Sequence, residues 1–337
     1  MAGGDTMTRY ARQICLPEVG NKGQAAIQAA HVLVVGVGGL GAPVLQYLVA
    51  AGVGRLTLVD GDVVSLCNLH RQTLFREADI GKAKVVVAAQ TLRALNNDCV
   101  IEAIEIALSP SNAMTLVGQS TLVLDCADSF ATSYILSDKC KALGLPLISA
   151  SVLGISGYVG GFCHTAPSLR AVFPDLPDRA ATCATAGVMG PVVGMIGAAQ
   201  AQMALAYMIG QTPSPLGQLI HFDMKNFRSS DFRFDTAPDP VADLTFIAAS
   251  EVTGHDFVIE LRDATEAVTP VTEDARRITV AQFADQRPTP AANQRAVFAC
   301  QSGLRAWQAA THLRSYWDGD ITLIAMGDTT PTERQPI

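Results

Sequence analysis

Val32-Leu-Val-Val-Gly36-Val-Gly38-Gly39-Leu-Gly41 is the stretch that decides the fold. An apolar run turns through G-x-G-x-x-G into the apolar segment Ala42 to Ala51, the pattern of a buried strand handing over to a helix. Glycine at such a turn lets the backbone approach a phosphate seated at the helix N-terminus. Thr57-Leu-Val-Asp60 follows as a second strand and ends on an acid placed to hold a ribose hydroxyl. Taken alone, this pattern suits a dinucleotide-dependent dehydrogenase. The next cluster, Asn68-Leu-His-Arg71-Gln72, supplies cationic and amide donors that suit a triphosphate better than a nicotinamide.

Outward from this centre, period and punctuation predict strands near 32–36, 55–60, 99–105, 121–125, 146–151 and 157–164, alternating at first with helices near 41–51, 82–95 and 131–143. That is an α/β chain with a doubly wound, mostly parallel sheet. Its ligand crevice belongs at the carboxyl ends of the strands, where Gly36, Asp60 and Asp128 fall. Thr236-Ala-Pro-Asp-Pro240 then breaks the pattern with two prolines. The expected organisation is a first domain over 1–235, a linker over 236–242 and a smaller α/β domain over 243–337.

Seven segments occur in one order: Arg9-Tyr-Ala-Arg12-Gln13, the glycine loop, Asp60-Gly-Asp62, Asn68 to Gln72, Gly81-Lys-Ala-Lys84, Leu124-Asp125-Cys126-Ala127-Asp128 and Thr182-Cys183 to Pro191. On these segments the chain resembles the MoeB/ThiF/HesA family, relatives of the ubiquitin-activating enzymes, over roughly residues 8 to 235. The resemblance implies a Rossmann-like fold and an ATP-dependent adenylyltransferase acting as a homodimer. Its substrate would be a ubiquitin-like sulfur-carrier protein of the MoaD or ThiS type, activated at its C-terminal Gly-Gly. By the same resemblance, Gly36, Gly38, Gly39, Gly41, Asp60, Asn68, Arg71, Gln72 and Lys84 would bind the nucleotide, with Arg71 and Lys84 orienting phosphates. Asp128 would hold Mg²⁺, an oxygen-seeking ion, with the triphosphate supplying other ligands. Arg12 would reach the partner subunit's nucleotide site. Cys183 bonds covalently to the carrier in some relatives and is dispensable in others, so both readings stay open.

Two departures stand out. Ser129 occupies the place where the family usually has Asn after the metal-binding Asp. Zinc-binding Cys-x-x-Cys pairs, common in the family, are missing: Ser168-Leu-Arg-Ala171-Val-Phe173-Pro174 fills the first position and no cysteine lies between Cys183 and Cys300. Tetrahedral zinc needs four good ligands, so no structural zinc is expected.

Near the C-terminal end, the strand Arg295-Ala-Val-Phe-Ala299 delivers Cys300-Gln-Ser-Gly-Leu-Arg305 into the amphipathic segment Ala306 to Tyr316. This resembles the active-site loop of a rhodanese. A cysteine in a short loop at a helix N-terminus faces backbone N–H groups and the positive end of the dipole, which lower a thiol's pKa and stabilise a persulfide anion. Ile259-Glu260-Leu261-Arg262 and Ile321 to Gly327 agree with the pattern. Glu260 stands where rhodaneses more often have Asp, and the segment is shorter than a full rhodanese domain. A persulfide donor such as a cysteine desulfurase is the partner this implies.

Composition limits the alternatives. A net charge of −7 gives no electrostatic footprint for nucleic acid. The first ten residues lack the apolar core of a signal peptide, and the eight cysteines form no framework, which points to a cytoplasmic protein. Val188 to Ile209 is long enough to span a membrane, but Gly190, Pro191, Gly194, Gly197, Gln200, Gln202 and the lack of flanking Lys or Arg favour a buried helix starting near Pro191. Three rival functions remain: adenylation of another carboxylate with the second domain as a docking module, an NAD-dependent oxidoreductase, and a non-catalytic partner-binding protein.

Overall fold

The computed structural model describes residues 9–176, 187–240 and 244–327. Eight strands, β1 (His31–Val35), β2 (Arg55–Val59), β3 (Val100–Ile104), β4 (Leu122–Asp125), β5 (Pro146–Leu153), β6 (Ser156–Cys163), β7 (Gln218–Asp223) and β8 (Arg228–Arg233), form one sheet. Their order is β3-β2-β1-β4-β5-β6-β7-β8. The pairs from β3 to β5 are parallel, and the apolar residues of β1, β2 and β4 are buried on both faces, as crossover helices require, while the edge strand β3 leaves Val100 exposed. The connecting helices Gly41–Ala51, Lys84–Leu95 and Phe130–Leu143 lie where the periodicity places them. Strand order reverses at β1, whose neighbours are β2 and β4, so the crevice opens at the β1/β4 switch point.

From β5 onward the sheet turns antiparallel through β6, β7 and β8, more antiparallel pairing than the sequence suggests. The last two strands were not anticipated. Every residue of β8 is exposed, so its Arg-Ser-Ser-Asp-Phe-Arg sequence has no buried face to create an apolar alternation. The apolar run around Pro191 is the helix Gly190–Met208, which packs on β5, β6 and the helix Gly41–Ala51. Its Gln200, 0% exposed, donates Nε2 to the carbonyls of Asp125 (2.7 Å) and Ile148 (3.0 Å). No helix among the described residues is long and apolar enough to cross a membrane.

The second sheet is parallel throughout: β9 (Thr245–Phe246), β10 (Phe257–Glu260), β11 (Arg276–Arg277), β12 (Ala296–Cys300) and β13 (Ile321–Ala325), in the order β11-β10-β12-β13-β9. Helix Leu304–Arg314 follows β12 as expected. Phe283 and Phe298 meet edge to face at 5.0 Å in its core. That core does not stop at the second sheet, because Ala131, Tyr134 and Ile135 of helix Phe130–Leu143 belong to the same buried cluster as Phe246, Trp307 and Cys300. The proline-containing segment between the sheets is also held. Asp239 accepts from the Ser168 backbone N–H (3.1 Å) and hydroxyl and pairs with Lys141 at 3.2 Å.

Candidate active site

At the carboxyl end of β1 the glycine loop is built by close approach. Gly36 has φ +93°, and a Cβ there would lie 2.6 Å from the Cys126 carbonyl oxygen. A Cβ on Gly41 would lie 2.2 Å from the Gly36 carbonyl oxygen, so the helix Gly41–Ala51 starts hard against the loop. Asp60 at the end of β2 accepts the Val37 N–H at 2.7 Å and the Asp62 N–H at 2.8 Å. It therefore shapes the loop as well as facing the crevice, and burial raises its pKa.

Basic and amide groups gather beside the loop. The Arg71 side chain runs past Gly39, where an added Cβ would lie 3.5 Å from Arg71 Cγ, and its Nη1 donates to the Cys67 carbonyl at 3.3 Å. Gln72 is 4% exposed, its Nε2 lies 3.3 Å from the Cβ position of Gly38, and its buried Oε1 has no partner. Asn68 closes a short 3₁₀ turn beneath both, its carbonyl accepting from the backbone N–H of Arg71 and Gln72. Lys84, almost fully buried, gives Nζ to Asp62 Oδ2 at 2.7 Å.

The turn after β4 completes the crevice. Asp128 is exposed, and among the described residues nothing donates a hydrogen bond to its carboxylate. A hard oxygen ligand in that state fits Mg²⁺. Behind it, Asp125 is 0% exposed and accepts from Ser149 Oγ (2.7 Å) and the Ala127 N–H (3.2 Å). Burial pushes its pKa up to about 6. Asp125 and Gln200 pin this turn to β5 and to helix Gly190–Met208, and neither was singled out from sequence. The available signal was an acid at a strand end, three residues ahead of Asp128.

Arg12 is brought to a different place. It is exposed on the short helix Ala11–Ile14, whose Gln13 donates to the Ala51 carbonyl at 3.2 Å, at the end of helix Gly41–Ala51 remote from the glycine loop. Eleven helical residues separate the two ends, about 16 Å. Cys183 lies outside the described residues. Cys15 and Cys67 are exposed, and Cys99, Cys126, Cys140 and Cys163 are buried.

Cys300 ends β12 with its Sγ accepting N–H groups from Gly303 (3.1 Å) and Ala306 (3.3 Å), the cradle the sequence predicts. Its pKa nevertheless corrects the expectation. Burial raises it, outweighing these amides and the Arg305 charge, because the thiol is 0% exposed. Around it Arg262 pairs with Glu260 at 2.7 Å and Arg305 with Glu266 at 2.7 Å, so both guanidiniums are already engaged. Among the described residues no group of three or more His, Cys, Asp or Glu side chains could hold a metal ion. Ser168, at the first zinc-cysteine position, donates to Asp239 instead.

Residues 10–242 match the ThiF family. An adenylyltransferase and sulfurtransferase MOCS3 from Xenopus laevis is 44% identical over 64% of this chain and 48% of its own length. The SAMP-activating enzyme E1 of Haloferax volcanii is 37% identical over 69% of this chain and 85% of its own. The sulfur carrier protein adenylyltransferase of Thermus thermophilus is 40% identical over 65% and 84%. The chain thus spans about half the length of the MOCS3 relative. Among solved structures, E. coli MccB superposes with a TM-score of 0.62 at 20% identity, covering 69% of this chain and 71% of that one, a likeness of fold.

Proposed function

The chain belongs to the ThiF family, and on that premise we propose that it is an ATP-dependent adenylyltransferase for a ubiquitin-like sulfur-carrier protein ending in Gly-Gly. The observation that carries the reading is the convergence of the glycine loop, Arg71, Lys84 and an unengaged Asp128 on one crevice at the β1/β4 switch point. A carboxylate oxygen of the carrier attacks the α-phosphorus of ATP. A P–O bond forms, the bond to the bridging oxygen breaks, and pyrophosphate leaves with the electron pair. The loop amides and Arg71 hold phosphate oxygens, and Asp60 faces the ribose. Lys84 gives up its pairing with Asp62 to hold the phosphates. Asp128 would hold Mg²⁺, which supplies charge neutralisation when bound. Positioning and preorganised charge account for the acceleration.

Arg12 cannot reach its own crevice from the far end of helix Gly41–Ala51, which supports a homodimer in which it serves the partner's site. The second sheet is read as a reduced rhodanese unit: the Cys300 cradle matches that role, and a cysteine desulfurase is the expected persulfide donor. The oxidoreductase reading is weakened because Arg71 lies across the glycine loop.

Carrier-dependent exchange of pyrophosphate into ATP tests the proposal. Asp128→Ala should reduce exchange by roughly 10²-fold or more with the fold intact, and Cys300→Ala should leave exchange unchanged. Near-normal exchange in Asp128→Ala would remove the metal assignment. Tight NAD binding without ATP binding would remove the whole reading.

A further inference from the structure

Arg170 sits at the junction of the two sheets, its Nε and Nη2 hydrogen-bonded and its guanidinium against two aromatic rings. It is 2% exposed and forks onto Asp138 of helix Phe130–Leu143, Nε to Oδ1 at 2.7 Å and Nη2 to Oδ2 at 2.9 Å. Nη2 also donates to the Leu244 carbonyl at 3.0 Å, just ahead of β9. The plane lies 4.6 Å from the Tyr134 ring centroid on that helix and 5.7 Å from Trp307 on the helix that follows the Cys300 loop. One buried cation therefore ties the start of the second sheet, the Cys300 helix and the helix behind Asp128 together.

The consequence appears one turn away. A Cβ on Gly303, in the Cys300 loop, would lie 2.7 Å from Phe246 and 3.4 Å from the Ala131 Cβ. Ala131 stands three residues after Asp128, in the first turn of the same helix. The sulfur cradle and the turn that carries Asp128 thus abut on one element, and Ala131 shares a buried apolar cluster with the 0% exposed Cys300.

We propose that Arg170 is a positioning residue that seats the Cys300 cradle on the Asp128 helix, so that sulfur passes to the acyl-adenylate made in the same chain. The proposal rests on the adenylyltransferase reading. With thiosulfate as sulfur source, the Cys300 thiolate takes the outer sulfur, the S–S bond breaks and sulfite leaves with the electron pair. The terminal persulfide sulfur attacks the acyl carbon; a C–S bond forms, the C–O bond to phosphate breaks and AMP leaves. A thiol such as dithiothreitol then attacks the Cys300 sulfur of the acyl disulfide, releasing the carrier thiocarboxylate and leaving Cys300 in a mixed disulfide. A second thiolate of the dithiothreitol resolves it. For this chemistry the Gly303 loop lifts from Ala131, since the closed thiol is unreachable, while Arg170 keeps the following helix seated through Trp307.

Two measurements test this. The first needs no carrier: iodoacetamide labelling followed by peptide mass spectrometry. In the wild type Cys300 should label at least tenfold more slowly than Cys67, and Arg170→Ala should remove most of that protection while Arg170→Lys keeps part of it. If Arg170→Ala does not fold, Trp307→Leu serves. Wild-type Cys300 labelling as fast as Cys67 overturns the docking. The second co-expresses differently tagged Asp128→Ala and Cys300→Ala chains, isolates the mixed dimer through both tags, and supplies it with thiosulfate, dithiothreitol, Mg-ATP and a Gly-Gly carrier that supports wild-type exchange. Exchange should recover to about half while thiocarboxylate stays at background. Thiocarboxylate appearing at about half the wild-type yield would show transfer between chains and overturn the proposal. Absence of exchange by the wild type with every carrier would instead remove the underlying reading, whatever the labelling shows.

Discussion

The glycine-loop crevice and the Cys300 cradle use the same device, polar backbone at a helix N-terminus, in opposite states. In the crevice the backbone is packed to the limit of contact, yet among the described residues Asp128 has no hydrogen-bond partner and Gln72 Oε1 is buried without one. In the cradle Sγ already accepts two amides, Glu260 and Glu266 occupy both arginines, and the thiol is shut from water. Unpaired groups over a rigid frame indicate a place organised before its ligand arrives. Internally satisfied groups indicate one that must be opened. The contrast also accounts for the thiol's raised pKa: cradle donors lower it only as far as desolvation allows.

The sharpest way to break the rigid side is Gly41→Ala. Its new methyl would meet a backbone oxygen at 2.2 Å that cannot withdraw without moving the loop, so urea denaturation should show a loss above about 4 kcal/mol. Gly39→Ala is the control, since its nearest atom, Val193 Cγ1 at 2.8 Å, belongs to a side chain, and about 1–2 kcal/mol is expected.

On the closed side, Glu260→Gln leaves the buried Arg262 without its counter-charge and should cost about 3 kcal/mol. The loss should be confined to the second sheet. Hydrogen exchange would then accelerate in β10 and β12 but not in β1 or β4; equal acceleration in both would mean that the two regions share one cooperative unit.

An effect of at most the same size, spread over a pH window, belongs to the joint behind the crevice. Burial lifts the Asp125 pKa from 3.8 to about 6, so between those values the folded chain binds more protons than the unfolded one. Stability should therefore fall as pH rises through that window, by up to about 3 kcal/mol, and level off above it. Asp125→Asn should abolish this segment of the stability curve, and an unchanged slope would assign it to another group.

Much of the crevice was legible because its physics is local. A glycine loop, a strand-end acid and a buried parallel strand each write themselves into a few consecutive residues, so β1, β2, β4 and the helix Gly41–Ala51 were placed to within a residue or two. What sequence withheld depends on contacts between distant segments. Arg170 was visible only as part of a motif lacking its cysteines; its fork onto Asp138 and its stacking on Trp307 exist only after the two sheets meet. β9 and β11, two residues each, are too short for any period, and β8 carries no buried face. The burial of Cys300 was likewise hidden, since the loop sequence specifies amides around sulfur but not the apolar cluster, drawn in part from helix Phe130–Leu143, in which it is buried.

Strand order in the second sheet sets a schedule for synthesis. β9, its first strand in the chain, has β13 as its sole neighbour among the described strands, and β13 is its last. Until residues 247 to 320 have been translated, roughly 4 to 15 s at ordinary elongation rates, Thr245 and Phe246 have no strand to join. During that interval the apolar face of helix Phe130–Leu143 around Tyr134 and Ile135 waits uncovered beside an already folded glycine-loop crevice. A ribosome stalled in that window would display the first sheet and its crevice with Cys300 yet to be made or enclosed.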